Sequence, residues 1–110
     1  PLKIKNMKWI KFHDVASSAN TANVVNFIEV DEIKYVSTTA TTVIFHSIGA
    51  GANVSALDTT TITCASGESI TLAYMILQSA GSLSQGEILT VNVDTGTSST
   101  LISDISYAVV

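Results

Sequence analysis

Runs of β-branched and aromatic residues recur along most of this chain about every eight to twelve residues, separated by stretches rich in glycine, serine and aspartate. This spacing is typical of strands joined by turns, whereas a helical bundle shows longer segments with an apolar residue every three or four positions. The chain has 110 residues, the size of one domain with its own core. We therefore predict a single domain over residues 1–110 that is mainly β, an antiparallel sheet or sandwich-like fold.

The predicted strands are the runs rich in β-branched and alternating apolar residues, at 2–12, 24–30, 33–37, 41–48, 59–64, 87–93 and 101–109. The runs at 24–30 and 33–37 form either one kinked strand or two short ones, because only Asp31 and Glu32 separate them. Residues 37–40 predict a hairpin turn into the strand 41–48, which should also pair with 59–64. Residues 48–58 predict a mobile loop, and residues 94–99 predict a turn between the last two strands.

The segment at 67–80 fits two interpretations. Ser66, Glu68 and Ser69 supply N-cap chemistry ahead of it. Its apolar residues then follow a helical spacing at Ile70, Ala73, Tyr74 and Leu77. The same segment also alternates as a strand, because it is apolar on nearly every side. The fold class is therefore mainly β, or α+β with one helix near residues 67–80.

Charge is divided unevenly along the chain. Residues 1–11 carry four lysines and no acid, whereas residues 12–110 carry one lysine against nine carboxylates, a formal charge of −8. We expect this basic N-terminal strand or arm, at about 1–12, to bind the acidic face of a neighbouring copy or of a larger shell protein, with an aromatic anchor in a pocket. The candidate partner-contact residues are Lys3, Lys5, Lys8, Trp9, Lys11 and Phe12.

Composition also favours assembly. Charged residues make up 13% of the chain, about half of the roughly 25% typical of soluble domains, and serine, threonine and asparagine take their place. The buried centres of protein interfaces are depleted of charge in the same way, so we expect a homo-oligomer. The single Cys64 excludes an internal disulfide framework, and we expect it to be a small buried side chain.

No set of residues predicts catalysis. Asp94–Thr95–Gly96 resembles the catalytic loop of aspartic proteases, but that family places the loop early, and here only fourteen residues follow Gly96. The same tripeptide is common in hairpin turns, which is our interpretation. His13, His46 and Cys64 are too few for a closed zinc site, and residues 48–53 lack the ending of a phosphate-binding loop. We predict no catalytic residue, no cofactor and no metal.

Nucleic acid and membranes are poor partners for such a chain. It contains no arginine, and its acidic body would repel a phosphate backbone. No apolar run approaches the roughly 18 residues that cross a bilayer. The N-terminal lysines alternate with apolar residues instead of preceding a continuous apolar core, so we expect no secretory signal and synthesis inside the cell.

The chain resembles small virion-associated proteins of tailed, often marine, bacteriophages. The resemblance lies in residues 7–12 (MKWIKF), in the hairpin from 29–33 through the threonine-rich stretch 37–43, and in residues 61–67 (TITCASG) before the possible helix. It covers about residues 7–80 and contains no diagnostic motif. It implies a structural protein that decorates or cements capsids, often as a trimer, in contact with a major capsid or other virion protein. The implied location is the virion, assembled in the host cytoplasm.

Two classes of function follow from these observations. The first is a non-enzymatic structural and assembly protein. The alternative is a small β-module that binds a carbohydrate or another ligand. Glycan-binding sheets expose rows of aromatic residues, whereas this chain has one tryptophan and three dispersed tyrosines, which favours the structural role.

Overall fold

The computed structural model describes residues 7–14, 24–48, 57–93 and 102–109. These residues form seven strands, one α-helix and one short 3-10 helix, so the prediction of a mainly β fold with a single helix is confirmed. The strands are β1 (Trp9–His13), β2 (Val24–Glu29), β3 (Ile33–Thr38), β4 (Thr42–Ile48), β5 (Leu57–Cys64), β6 (Ile88–Asn92) and β7 (Ile102–Ala108). The helix α1 (Ser69–Gly81) connects β5 to β6, and the 3-10 helix (Val30–Glu32) connects β2 to β3.

The strands form two sheets. The three-stranded sheet has the order β2-β1-β6, and the four-stranded sheet has the order β3-β4-β5-β7. β1 pairs in parallel with β6, and the other neighbouring strands are antiparallel. The N-terminal segment that the sequence predicted as a strand or arm therefore contributes, over Trp9–His13, the central strand of a sheet.

The runs 24–30 and 33–37 are two strands, and each belongs to a different sheet. The 3-10 helix Val30–Glu32 forms the corner between them, where the amide of Val30 donates to the carbonyl of Lys8 at 2.8 Å. Asp31 and Glu32 are poor strand residues, which is consistent with a break at this position. The chain thus crosses from one sheet to the other within three residues.

The pairing of β4 with both β3 and β5 is confirmed. In β4 the side chains of Val43 and Phe45 point inward, and in β5 those of Thr60, Ile62 and Cys64 do so. Alternate residues of a strand lie on opposite faces, so this pattern follows from the sequence. β5 begins at Leu57, so the loop predicted over 48–58 is shorter at both ends, and residues 49–56 lie outside the described part of the chain.

The last two strands do not form a hairpin with each other. β6 pairs with β1, and β7 pairs with β5, so they lie in different sheets. Turn residues indicate that the chain reverses, but they do not determine which strand it then joins. Both strands direct apolar side chains into the shared core, as Val91 and Ile105 show. The predicted turn at 94–99 lies outside the described residues.

The core lies between the two sheets. The rings of Phe12 and Phe45 meet across it at 5.4 Å between centroids with a tilt of 58°. The Nδ2 group of Asn26 in one sheet donates to Oγ1 of Thr60 in the other at 3.0 Å. Cys64 is buried as expected, and burial raises the pKa of its thiol. The other core side chains are Ile10, Ile28, Val43, Ile62, Leu72, Ala73, Ile76, Ala80, Val91, Val93, Ile102 and Ile105.

The helix is confirmed, but of the four residues that gave the helical spacing only Ala73 is buried. Its buried residues are Ser69, Leu72, Ala73, Ile76 and Ala80, whereas Ile70 and Tyr74 are 60% and 64% exposed. Both faces are apolar, so periodicity did not select between them. The buried face contains small residues, and these allow a helix to approach a sheet closely.

The start of the helix also differs from the expected cap. Glu68 occupies the N-cap position without a side-chain cap bond. Instead, the hydroxyl of Ser69 donates to the carbonyl of Thr39, which ties the first turn of the helix to the β3–β4 turn. Gly67 has a φ of +83°, a backbone conformation that favours glycine, just before the helix. Within the described residues, no helix has the length and apolar character needed to cross a membrane.

Candidate interaction surface

The two histidines lie apart, in different sheets. His13 is in β1, and His46 is in β4. The ring of His46 stacks on Tyr35 at 4.0 Å, and its Nε2 atom lies 2.8 Å from Oγ of Ser37. Among the described residues no group of three or more histidine, cysteine or acidic side chains could hold a metal ion. Asp94–Thr95–Gly96 and the glycine-rich stretch of 49–53 lie outside the described part.

The outer face of the three-stranded sheet carries an apolar patch, which we call the Trp9 patch and define as Trp9, Phe27 and Ile88. The strand registers place these side chains together: Trp9 is directly opposite Ile88, and Phe27 is diagonal to Trp9. Phe27 is 49% exposed and Ile88 is 53% exposed. With Gly86 they line an open hollow of about 340 Å³. Such a hollow can accept an apolar side chain from a partner.

Charged groups lie beside the Trp9 patch. Lys11 is opposite both Phe27 and Thr90 in the sheet, and Lys8 immediately precedes β1. Glu29 is opposite Trp9 but buried, and burial raises the pKa of its carboxyl, with a further increase from Asp31 and Glu32. Lys8 and Lys11 therefore lie where rim charges would guide a partner onto the patch.

Sequence reasoning identified part of this surface. Of the six predicted contact residues, Trp9 belongs to the patch, and Lys8 and Lys11 lie beside it. Phe12 has no exposed surface and packs on Phe45, so it is a core residue and cannot act as the anchor. Alternation in β1 could have shown this, because Trp9 and Phe12 must point to opposite faces. Lys3 and Lys5 lie outside the described residues.

A second exposed apolar surface lies on α1, and sequence reasoning missed it. The side chains of Ile70, Tyr74 and Leu77 form one stripe on the helix, which we call the helix stripe. Between this stripe and Val36 and Thr38 of β3 lies a hollow of about 210 Å³. The signal that could have found it is the absence of any charged residue from Ser69 to Gly81.

A small polar pocket lies at one end of the sandwich. Tyr107 donates its hydroxyl hydrogen to Oδ2 of the buried Asp58 at 2.6 Å. This bond, together with burial and the negative charge of Asp58, raises the pKa of Tyr107 to about 12. Asn26, Ser47 and Glu32 also line the pocket, whose volume is about 130 Å³. The tyrosine holds the carboxylate as a hydrogen-bonded pair, which lowers the cost of burying it.

Comparison with protein families, with curated proteins and with solved structures found no match for this chain.

Proposed function

We propose that this chain is a non-enzymatic structural protein of a bacteriophage virion, a capsid decoration or cement protein. It acts through contacts with its own copies, as a trimer, and with a shell protein. The observation that supports this role is the Trp9 patch, an exposed apolar hollow on a sheet face with lysines beside it. The resemblance of residues 7–80 to small virion-associated proteins supplies the virion setting.

The chemistry of the hollow favours a protein partner over a sugar. Trp9, Phe27, Gly86 and Ile88 line it, and none of them brings a side-chain amide or carboxylate. Sugars need such polar groups to fix their hydroxyls, whereas protein anchors are apolar or aromatic side chains in dry pockets. Lys8 and Lys11 would meet acidic residues of a shell protein at the rim.

The carbohydrate-binding alternative is supported by one observation. Two aromatic side chains, Trp9 and Phe27, lie on an open sheet face within reach of each other. A sugar ring could stack on such a face. Binding of an oligosaccharide that is lost in the Trp9→Ala variant, without any binding to particles, would select this function.

The test uses purified phage particles from the source of the chain. We expect the chain to sediment with them. In the double variant Phe27→Gln with Ile88→Gln the dissociation constant for particles should rise about tenfold or more, because two half-exposed apolar contacts are lost. Val109→Gln is the matched control, since Val109 is 56% exposed just after β7 and does not line the hollow. A chain that does not bind particles, or a double variant that binds as well as the control, contradicts the proposal.

A further inference from the structure

The outward face of α1 carries no charged residue. A surface helix of a globular protein carries charged residues on its solvent side. From Ser69 to Gly81 this helix has none, and its outward residues include Ile70, Tyr74 and Met75, which are 60%, 64% and 51% exposed. Leu77 is 41% exposed on the side of Ile70 and Tyr74, whereas Met75 lies on the other flank of the helix. The polar residues Thr71, Gln78 and Ser79 are also exposed, so the outward face is uncharged but mixed. The inward face is already filled by the core, so Ile70, Tyr74 and Leu77 form the exposed apolar flank next to β3.

We propose that the helix stripe of Ile70, Tyr74 and Leu77 packs against the same stripe of a second copy, related by a two-fold axis. This contact is separate from the Trp9 patch and does not depend on a virion role. The positions follow the spacing i, i+4, i+7, so they form a ridge of the kind that interlocks when two helices pack. A two-fold contact brings such a ridge onto its own copy and closes the assembly at that surface.

The absence of charge selects the partner. A face with acids or lysines would lose hydration on this stripe without gaining an opposite charge. The stripe of another copy is uncharged, and the formal charge of −4 per chain lies elsewhere. A second copy therefore offers an apolar face of the same length without bringing like charges into the contact.

The size of the helix stripe sets how much else the contact must cover. Ile70, Tyr74 and Leu77 together expose on the order of 300 Å², at the lower end of the range for the largest patch on a typical monomer. A stable interface buries roughly 800 Å² on each partner, so the contact must extend from the stripe over the hollow beside it and the neighbouring part of β3.

The hollow beside the stripe adds shape to this contact. It has a volume of about 210 Å³ and is bordered by Val36 and Thr38 of β3 as well as by the helix. Tyr74 protrudes next to it, so each copy offers both a projecting ring and a recess. We expect the ring of one copy to enter the recess of the other, in the manner of an aromatic anchor.

The first experiment measures mass by light scattering over a range of protein concentrations. The wild-type chain should reach an even multiple of its 11.5 kDa mass, which is a hexamer if the two-fold contact joins two of the trimers proposed above. Tyr74→Glu should halve that mass, with a dissociation constant raised on the order of 100-fold. Ser106→Glu is the matched control, because it adds the same charge to an exposed site on β7. A monomer or odd multiple for the wild type, or an unchanged mass for Tyr74→Glu, contradicts the proposal.

The second experiment detects the contact directly. Leu77→Cys should form a disulfide-linked or maleimide-linked dimer, whereas Ser106→Cys and the wild type should not, since the native Cys64 is buried. Equal cross-linking of the Leu77→Cys and Ser106→Cys variants contradicts a specific contact. A lower melting temperature of Tyr74→Glu without any change in mass would mean that the stripe packs within one chain, which also contradicts it. Loss of particle binding in the double variant Phe27→Gln with Ile88→Gln concerns the Trp9 patch and has no bearing on either result.

Discussion

At the scale of single residues, Asp58 and Tyr107 form a hydrogen-bonded pair in which the carboxylate is buried. Asp58 is 2% exposed, so its carboxylate has lost nearly all its water. The phenol of Tyr107 replaces part of that hydration with a bond of 2.6 Å. The residues lie 49 positions apart, so the bond also links the start of β5 to the end of β7. It therefore stabilises the edge of the four-stranded sheet.

The raised pKa of Tyr107 makes stability depend on alkaline pH. In the folded chain the pKa of the phenol is about 12, whereas in the unfolded chain it is near 10. Between these values the unfolded state binds fewer protons, so the free energy of unfolding falls as pH rises, by about 1.4 kcal/mol between pH 8 and pH 11. Urea unfolding at pH 8 and pH 11 measures this loss.

Tyr107→Phe should remove that alkaline loss. At pH 8 it should lower the free energy of unfolding by about 1–3 kcal/mol, because the hydrogen bond from the phenol to the buried Asp58 is lost. Tyr35→Phe is the control, since Tyr35 is 54% exposed and keeps its stacked ring. An alkaline loss that is the same in Tyr107→Phe as in the control would mean that another group causes it.

At the scale of elements, the phase of α1 can be tested by comparing neighbouring residues. Ile76→Ala should lower the free energy of unfolding by about 2–5 kcal/mol, because Ile76 is 5% exposed and its loss leaves a cavity. Leu77→Ala should cost less than about 1 kcal/mol in the dissociated chain, since Leu77 is 41% exposed. Chemical denaturation at low protein concentration measures both. The reverse order would mean that the side of Leu77, and not that of Ile76, faces the core.

The elements show which parts of a sequence carry enough information. The runs of β4 and β5 and their pairing were predictable, because β-branched and aromatic residues fill both strands. The phase of α1 was not predictable, because apolar residues occur on both sides of the helix. The pairing of β6 with β1 was not predictable for a different reason, because local turn residues hold no information on a strand 79 positions away.

The interaction surface was predictable only in part. Lysine and tryptophan clustering pointed to residues near Trp9, but Phe27 and Ile88 join it only through the strand registers. The Asp58–Tyr107 pair gave no local signal, because its members are 49 positions apart. Contacts between distant segments depend on topology, which composition and periodicity do not determine.

At the scale of the whole molecule, the division of charge predicts a salt-dependent assembly. The double variant Lys8→Glu with Lys11→Glu should bind particles more weakly, since each exposed charge contact contributes roughly 0.2–1 kcal/mol and would become a repulsion. Added salt should weaken the wild-type contact as well, because charges are screened beyond about 8–10 Å at physiological ionic strength. Sedimentation with particles across a salt series measures both effects.

The control for this prediction is Lys34→Glu, the one lysine outside residues 1–11, which is exposed on β3 in the other sheet. It changes the net charge in the same direction without altering the rim of the Trp9 patch. Equal weakening by Lys34→Glu would indicate that only the net charge matters. No effect of either substitution would mean that the N-terminal lysines do not contribute to assembly.

The parallel pairing of β1 with β6 has a consequence for the order of folding. Trp9 and Ile88 are neighbours in the sheet but 79 positions apart in the chain. At about 5–20 residues per second, synthesis of that stretch takes roughly 4–16 s, during which β1 lacks the strand that covers one of its edges. Contacts of such high sequence separation also form slowly once the chain is complete. The nascent chain therefore passes through a period in which an unpaired strand edge is open to other chains, and lysines near that edge would keep them apart.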